Sequence, residues 1–194
     1  MPILVKNMKS VCVFCSSRNP KNLAYKKATI ELGKLIAEQG YSTIYGGSTE
    51  GLMAEFSKSV REHGGKILGI LPEVFAHLKN PDEEVVKAKD FGERKAIMIE
   101  KSDAFICLPG GYGTIDEMSD VIVSKLLEIH DKPIVLINIG GFYDNLIAQF
   151  EKMIAEGFTD KYETLYAVVE NPKQAIEYLK KYKPKTIKNS WIKG

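Results

Sequence analysis

Short apolar runs alternate with stretches of helical period along nearly the whole chain, and that alternation leaves few folds open. The runs are Val11 to Cys15, Tyr41 to Tyr45, Lys66 to Leu71, Ala104 to Leu108, Ile134 to Asn138 and Tyr166 to Val169. Helical patterns follow them, over about Leu23 to Glu38, Glu50 to His63, Gly92 to Lys101, Thr114 to Ile129, Tyr143 to Glu156 and Pro172 to Lys181. Short, continuous apolar runs read as strands buried on both faces. Strands that alternate with helices call for a parallel sheet covered on both sides. Only Glu73 to Asp90 breaks the rhythm, and its Asn80-Pro81-Asp82 reads as short helix plus loop.

The expectation is an α/β fold: a Rossmann-like, doubly wound parallel sheet of order 3-2-1-4-5-6 with helices on both faces. No internal repeat or linker-like stretch divides it, so residues 1–194 read as a single domain. In that order the first and fourth strands are neighbours at the switch point, where ligands bind outside the strands' C-terminal ends. The turn after the first strand carries Ser16 and Ser17, the turn after the second Gly46 and Gly47, and the turn after the fourth Gly110 to Thr114. These three small-residue turns are expected to line one crevice.

Chemistry concentrates in Pro109-Gly110-Gly111-Tyr112-Gly113-Thr114-Ile115-Asp116-Glu117. Glycines between a strand and a helix let backbone N–H groups face a ligand, and the helix N-terminus favours an anion. The stretch therefore reads as a phosphate cradle, with Tyr112 either touching the ligand or covering the turn. Glu117 admits two readings. Thr114-x-x-Glu117 is a capping box, in which the carboxylate would bond the Thr114 N–H; alternatively Glu117 serves the substrate. Arg94 and Lys95 sit together in the first turn of the preceding helix, an unfavourable place for two cations. One of them is expected to point into the crevice, while Asp116 suits the helix N-terminus.

Several chemistries are excluded or disfavoured. The first strand lacks a following G-x-G-x-x-G, and no G-x-x-x-x-G-K-[S/T] occurs. His63, His77 and His130 have no metal-site spacing. Three cysteines make no disulfide framework, and Cys12 and Cys15 lie in one strand at an odd offset, so they read as core on opposite faces. No apolar run reaches the roughly 18 residues of a membrane span, and the start lacks a secretory pattern, so a cytoplasmic protein is expected. The net charge is +2, yet Lys180 to Gly194 holds six lysines and no acid. Without them the body carries 21 basic against 25 acidic residues. The tail, about residues 182–194, reads as a solvated end rather than a nucleic-acid site.

At these residues the chain resembles a known family. Pro109 to Glu117 matches the P-G-G-x-G-T-x-x-E signature of the LOG (LONELY GUY) family of cytokinin riboside 5'-monophosphate phosphoribohydrolases, which carry an older lysine-decarboxylase label. Val13-Phe14-Cys15-Ser16-Ser17, Tyr45-Gly46-Gly47 with Gly51-Leu52-Met53, Arg94-Lys95-Ala96-x-Met98, Ile129-His130-Asp131-Lys132-Pro133 and Glu156-Gly157-Phe158 are similar to further family segments. Departures are Ser48, Ala54, Phe91-Gly92 and Leu126-Leu127-Glu128. The resemblance implies hydrolysis of the N-glycosidic bond of a nucleoside 5'-monophosphate, a cytokinin riboside monophosphate or AMP-like, without cofactor or metal. It implies Arg94 and Glu117 as catalytic residues. Ser16, Ser17, Gly46, Gly47, Lys95, Gly110, Gly111, Tyr112, Gly113 and Thr114 would hold the substrate. A homodimer or larger homo-oligomer is implied, with no nucleic-acid or membrane partner. The alternative is a non-catalytic carrier of a phosphorylated ligand, resembling molybdenum-cofactor carriers.

Overall fold

The fold comes from a computed structural model that describes residues 8–161 and 164–184. The strands are β1 (Ser10–Phe14), β2 (Ser42–Tyr45), β3 (Ile67–Pro72), β4 (Glu84–Ala88), β5 (Ala104–Cys107), β6 (Ile134–Ile137) and β7 (Ala167–Val169). The helices are α1 (Leu23–Glu38), α2 (Gly51–Glu62), α3 (Phe91–Lys101), α4 (Tyr112–Leu126), α5 (Asp144–Ala155) and α6 (Pro172–Lys181). One seven-stranded sheet has the order β4-β3-β2-β1-β5-β6-β7, parallel throughout. The six expected strands stand in the expected order. The correction is β4, added outside β3 from the segment read as loop.

Two cores lie on the two faces of the sheet. Val11, Val13 and Cys15 point one way, packing with Leu32 and Ile36 of α1, Phe56 and Val60 of α2, and Ile176 and Leu179 of α6. Cys12 and Phe14 point the other way, toward Met98 of α3 and Met118 and Val121 of α4. The two cysteines are free, buried and on opposite faces, as the alternation of a strand requires. Burial pushes both thiols well above their ordinary pKa, and the Glu117 charge adds to it. They remain protonated packing groups.

Among the described residues no helix is long and apolar enough to cross a membrane. Of the lysine-rich end, Lys180, Lys181 and Lys183 are described, while the remainder, from Lys185 on, lies outside the described residues, as does the start of the chain through Asn7.

Gly51 ties the first turn to α2. Its φ is +60°, and a Cβ there would collide with the backbone of Ser17 and Arg18. The Met53 N–H donates to the Ser16 carbonyl at 3.1 Å across the same contact. Gly51→Ala is expected to destabilise the protein by at least about 2 kcal/mol, from left-handed strain plus displaced backbone. The urea midpoint measures this, and an unshifted midpoint would show that the two turns are not locked together.

Candidate active site

The sheet brings β1 and β5 side by side, pairing Phe14 with Cys107. Beyond the register the Leu108 N–H still donates to the Phe14 carbonyl at 2.9 Å. The Tyr143 hydroxyl donates to the Leu108 carbonyl at 2.7 Å, bracing the start of the turn from the α5 side. The chain then passes through Pro109-Gly110-Gly111 into α4. Thr114 folds back under Gly110, where a Cβ would run into its side chain.

α4 begins at Tyr112, two residues earlier than expected, and its N-cap is Gly111. Helices α1, α3 and α6 are capped by the side chains of Asn22, Asp90 and Asn171; α4 has no side-chain cap. Thr114 is therefore inside the helix, and the capping box does not form. The N–H groups of Tyr112, Gly113 and Thr114 have no carbonyl one turn back within the helix. They stand at the partly positive end of α4, an arrangement that favours an anion.

Glu117 instead meets Arg94. Arg94 Nη1 lies 2.5 Å from Glu117 Oε1, and both side chains are at least nine-tenths buried. Arg94 Nε donates to the Ile70 carbonyl at the end of β3, 2.9 Å away. The guanidinium thus spans from β3 to α4. Gly46 makes room for it: a Cβ there would stand 2.5 Å from Arg94 Nη2 and 2.8 Å from the Met53 sulfur. Burial pushes the Glu117 carboxyl above the usual carboxylate range, and the Arg94 charge pulls against that rise.

A cavity of about 460 Å³ opens above this pair, within the range usual for small-molecule sites. Of the expected residues, Ser16, Ser17, Gly46, Arg94, Gly111, Tyr112, Gly113, Thr114 and Glu117 line it. Tyr112 stands almost fully exposed at its mouth. Three expectations need correction. Lys95 does not line the cavity: its amine pairs with Asp116 at 2.9 Å and Asp120 at 3.7 Å on α4. Those carboxylates raise its pKa, and Asp116 is engaged there. Consecutive helical residues diverge by about 100°, so only one of Arg94 and Lys95 can face inward. Gly47 lies behind the lining, against Leu71 and Gly69 of β3, and Gly110 sits beneath it against Thr114.

The sequence reading missed the apolar wall of Met53, Leu71, Pro72, Phe75, Leu78 and Phe91. Phe75 and Phe91 meet edge to face at 6.0 Å. Phe75 and Leu78 come from a 3-10 segment, Glu73–Leu78, with no pattern of its own. Glu83, fully buried, anchors the chain just beyond it. It accepts from the Tyr45 hydroxyl, from Asn80 Nδ2 at 2.8 Å and pairs with Arg61 Nε at 3.2 Å. The sequence hints were Met53, in a segment similar to the family, and Phe91, where the resemblance showed a departure.

Known proteins resemble this chain over nearly its whole length. The chain is 38% identical over 188 residues to the cytokinin riboside 5'-monophosphate phosphoribohydrolase LOG5 of Arabidopsis thaliana, covering 95% of this chain and 82% of that protein. It is 38% identical over 186 residues to the probable cytokinin riboside 5'-monophosphate phosphoribohydrolase LOGL2 of Oryza sativa, covering 94% and 76%. Among solved structures, the Moco carrier protein of Chlamydomonas reinhardtii superposes with a TM-score of 0.68 at 22% identity, over 89% of this chain and 96% of that one. The molybdenum cofactor binding protein of Rippkaea orientalis gives 0.67 at 22% identity, with the same coverage. At that identity the likeness speaks for the fold alone. The sequence profile described as "Possible lysine decarboxylase" matches residues 53–179, and with relatives this similar over nearly its full length the chain belongs to the LOG family.

Proposed function

We propose that the protein hydrolyses the N-glycosidic bond of a nucleoside 5'-monophosphate, releasing the free base and ribose 5-phosphate. The observation that carries this reading is the buried Arg94–Glu117 pair at the floor of a cavity rimmed by an uncapped helix N-terminus. The activity named for the family's curated members supports it. In this reading the N–H groups of Tyr112 to Thr114 hold the 5'-phosphate. That places the ribose one helical turn further in, near Glu117. As the C1'–N bond breaks, positive charge grows on the sugar, and a fixed carboxylate stabilises it. Arg94 Nη1 donates to Oε1, holding the carboxylate in place, and its charge opposes the rise that burial imposes on the carboxyl. Water attacks C1', and the departing base takes up a proton.

The base would rest on the wall of Met53, Leu71, Pro72, Phe75, Leu78 and Phe91. None of these side chains carries a hydrogen-bonding group that reads a base edge. AMP and N6-alkylated relatives such as cytokinin riboside monophosphates are both in scope. A homodimer is part of the same reading: α4 leaves Val123 exposed, and Leu127 and Ile129 are exposed just past its end.

A panel of nucleoside 5'-monophosphates and their nucleosides, assayed for free base by chromatography, tests the proposal. Monophosphates are expected to be cleaved at least about 100-fold faster in kcat/KM than nucleosides, because the phosphate contacts position the sugar. Tight binding with no base released would overturn hydrolysis and favour the carrier alternative.

A further inference from the structure

We propose that Arg18 is the cation that binds the 5'-phosphate and selects nucleotides over nucleosides; the inference rests on the reading of the cavity as a nucleotide site. Among the described residues, four charged side chains line that cavity, Arg18, Arg94, Glu50 and Glu117. Their formal charges cancel. A phosphate monoester brings close to two negative charges at neutral pH. The open end of α4 offsets only about half a charge.

Arg94 is not free to supply the rest. Its Nε is held by the Ile70 carbonyl and its Nη1 by Glu117, at the bottom of the site. Arg18 is the other cation on the lining. Its side chain is exposed, and no carboxylate among the described residues pairs with it.

The base of this side chain is held firmly. The Arg18 N–H donates to Ser16 Oγ at 3.0 Å, and the Ser16 carbonyl accepts from the Met53 N–H. Gly51 packs directly on the Ser17–Arg18 backbone. The Leu108-to-Phe14 hydrogen bond sets this turn beside the one that opens α4. A guanidinium on a rigid turn thus stands at the rim of the same cavity as the Tyr112–Thr114 N–H groups. Its planar fork matches phosphate oxygens two at a time, which an ammonium does not.

The test uses the full chain, with ribose 5-phosphate and ribose as calorimetric probes. Arg18→Ala is expected to weaken ribose 5-phosphate binding by about 10- to 100-fold, the size of a charge-assisted contact at a partly open site. Arg18→Lys is expected to fall between the two. With AMP as substrate, kcat/KM falls by a similar factor, carried mainly by KM. Raising salt from about 0.05 to 0.5 M weakens the wild type more than Arg18→Ala, because screening acts on the missing charge. A circular dichroism spectrum matching wild type separates a lost anchor from a lost fold. Ribose 5-phosphate affinity of Arg18→Ala within about twofold of wild type overturns the assignment. A wild type that binds ribose 5-phosphate but frees no base, with Arg18→Ala binding weakly, leaves Arg18 in its role and overturns hydrolysis. Failure of the wild type to bind ribose 5-phosphate overturns both.

Discussion

Glu117→Gln is expected to lower kcat/KM for a nucleoside 5'-monophosphate by about 10²- to 10⁴-fold while the protein stays folded. Gln keeps the shape of the side chain and an oxygen for Arg94 Nη1, so the change isolates the negative charge. That charge is what a developing cation on the sugar needs, and burial in a water-poor floor enlarges its effect. Truncation to alanine is a poorer test, because it leaves the buried Arg94 guanidinium facing a hole.

The same carboxyl sets the acid side of the rate profile. Its pKa is raised by burial above its ordinary value. Wild-type kcat/KM is therefore expected to fall, on going to acid, through a pKa higher than about 4.3, the ordinary Glu value. Between that value and the folded one, the native state holds more protons than the unfolded chain. Wild-type stability declines as pH rises through this window, and Glu117→Gln lacks that slope. Steady-state rates and urea melts across pH 4 to 8 measure both effects. Undiminished hydrolysis by a folded Glu117→Gln protein would remove Glu117 from the mechanism.

The second large effect is expected at Arg94. Arg94→Met keeps much of the side chain's volume but deletes the charge and the donor to Ile70. Glu117 is then left buried with no cation against it, and such broken pairs cost about 3–5 kcal/mol. The carboxyl moves further up, because the interaction opposing burial is gone. The acid limb of any residual activity is expected at higher pH than in the wild type. The double variant Arg94→Met/Glu117→Gln should recover part of the lost stability, since no uncompensated charge remains. A double-mutant cycle by urea denaturation reads the coupling, expected within about 0.5–3 kcal/mol. Additive losses would mean that the pair, although in contact, is not an energetic unit.

Much of the fold was legible because each central strand is one apolar run ended by a small-residue turn. β4 was not. Glu84-Val85-Val86-Lys87-Ala88 has only two neighbouring apolar residues between two charges. It is a strand because β3 leaves an edge to pair with, from Leu68 to Pro72. Edge strands tolerate charge, so their patterns are faint.

The site was legible to the same uneven degree. Pro109 to Glu117 announces a strand, a tight turn and a helix N-terminus within nine residues, all of them local properties. The start of α4 was placed two residues late because Thr114-x-x-Glu117 mimics a cap. Glu117 has a stronger partner 23 residues earlier, a competitor that no local pattern reveals. Phe75, Leu78 and the Glu83 anchor were silent for a similar reason: their meaning depends on Tyr45 and Arg61, far away in the chain.

The sequence by itself determined the alternation of strands and helices, the switch point and the anion-binding turn, because these follow from periodicity and from backbone rules that act over a few residues. Only the tertiary structure decided what each charge does. The phase of α3 on the sheet turned Arg94 inward to Ile70 and Glu117, and Lys95 outward to Asp116 and Asp120. Among the described residues, packing also left Arg18 on the lining of the cavity with no carboxylate paired to it. Charge interactions depend on distance and burial between residues remote in sequence, and those quantities exist only once the chain has packed.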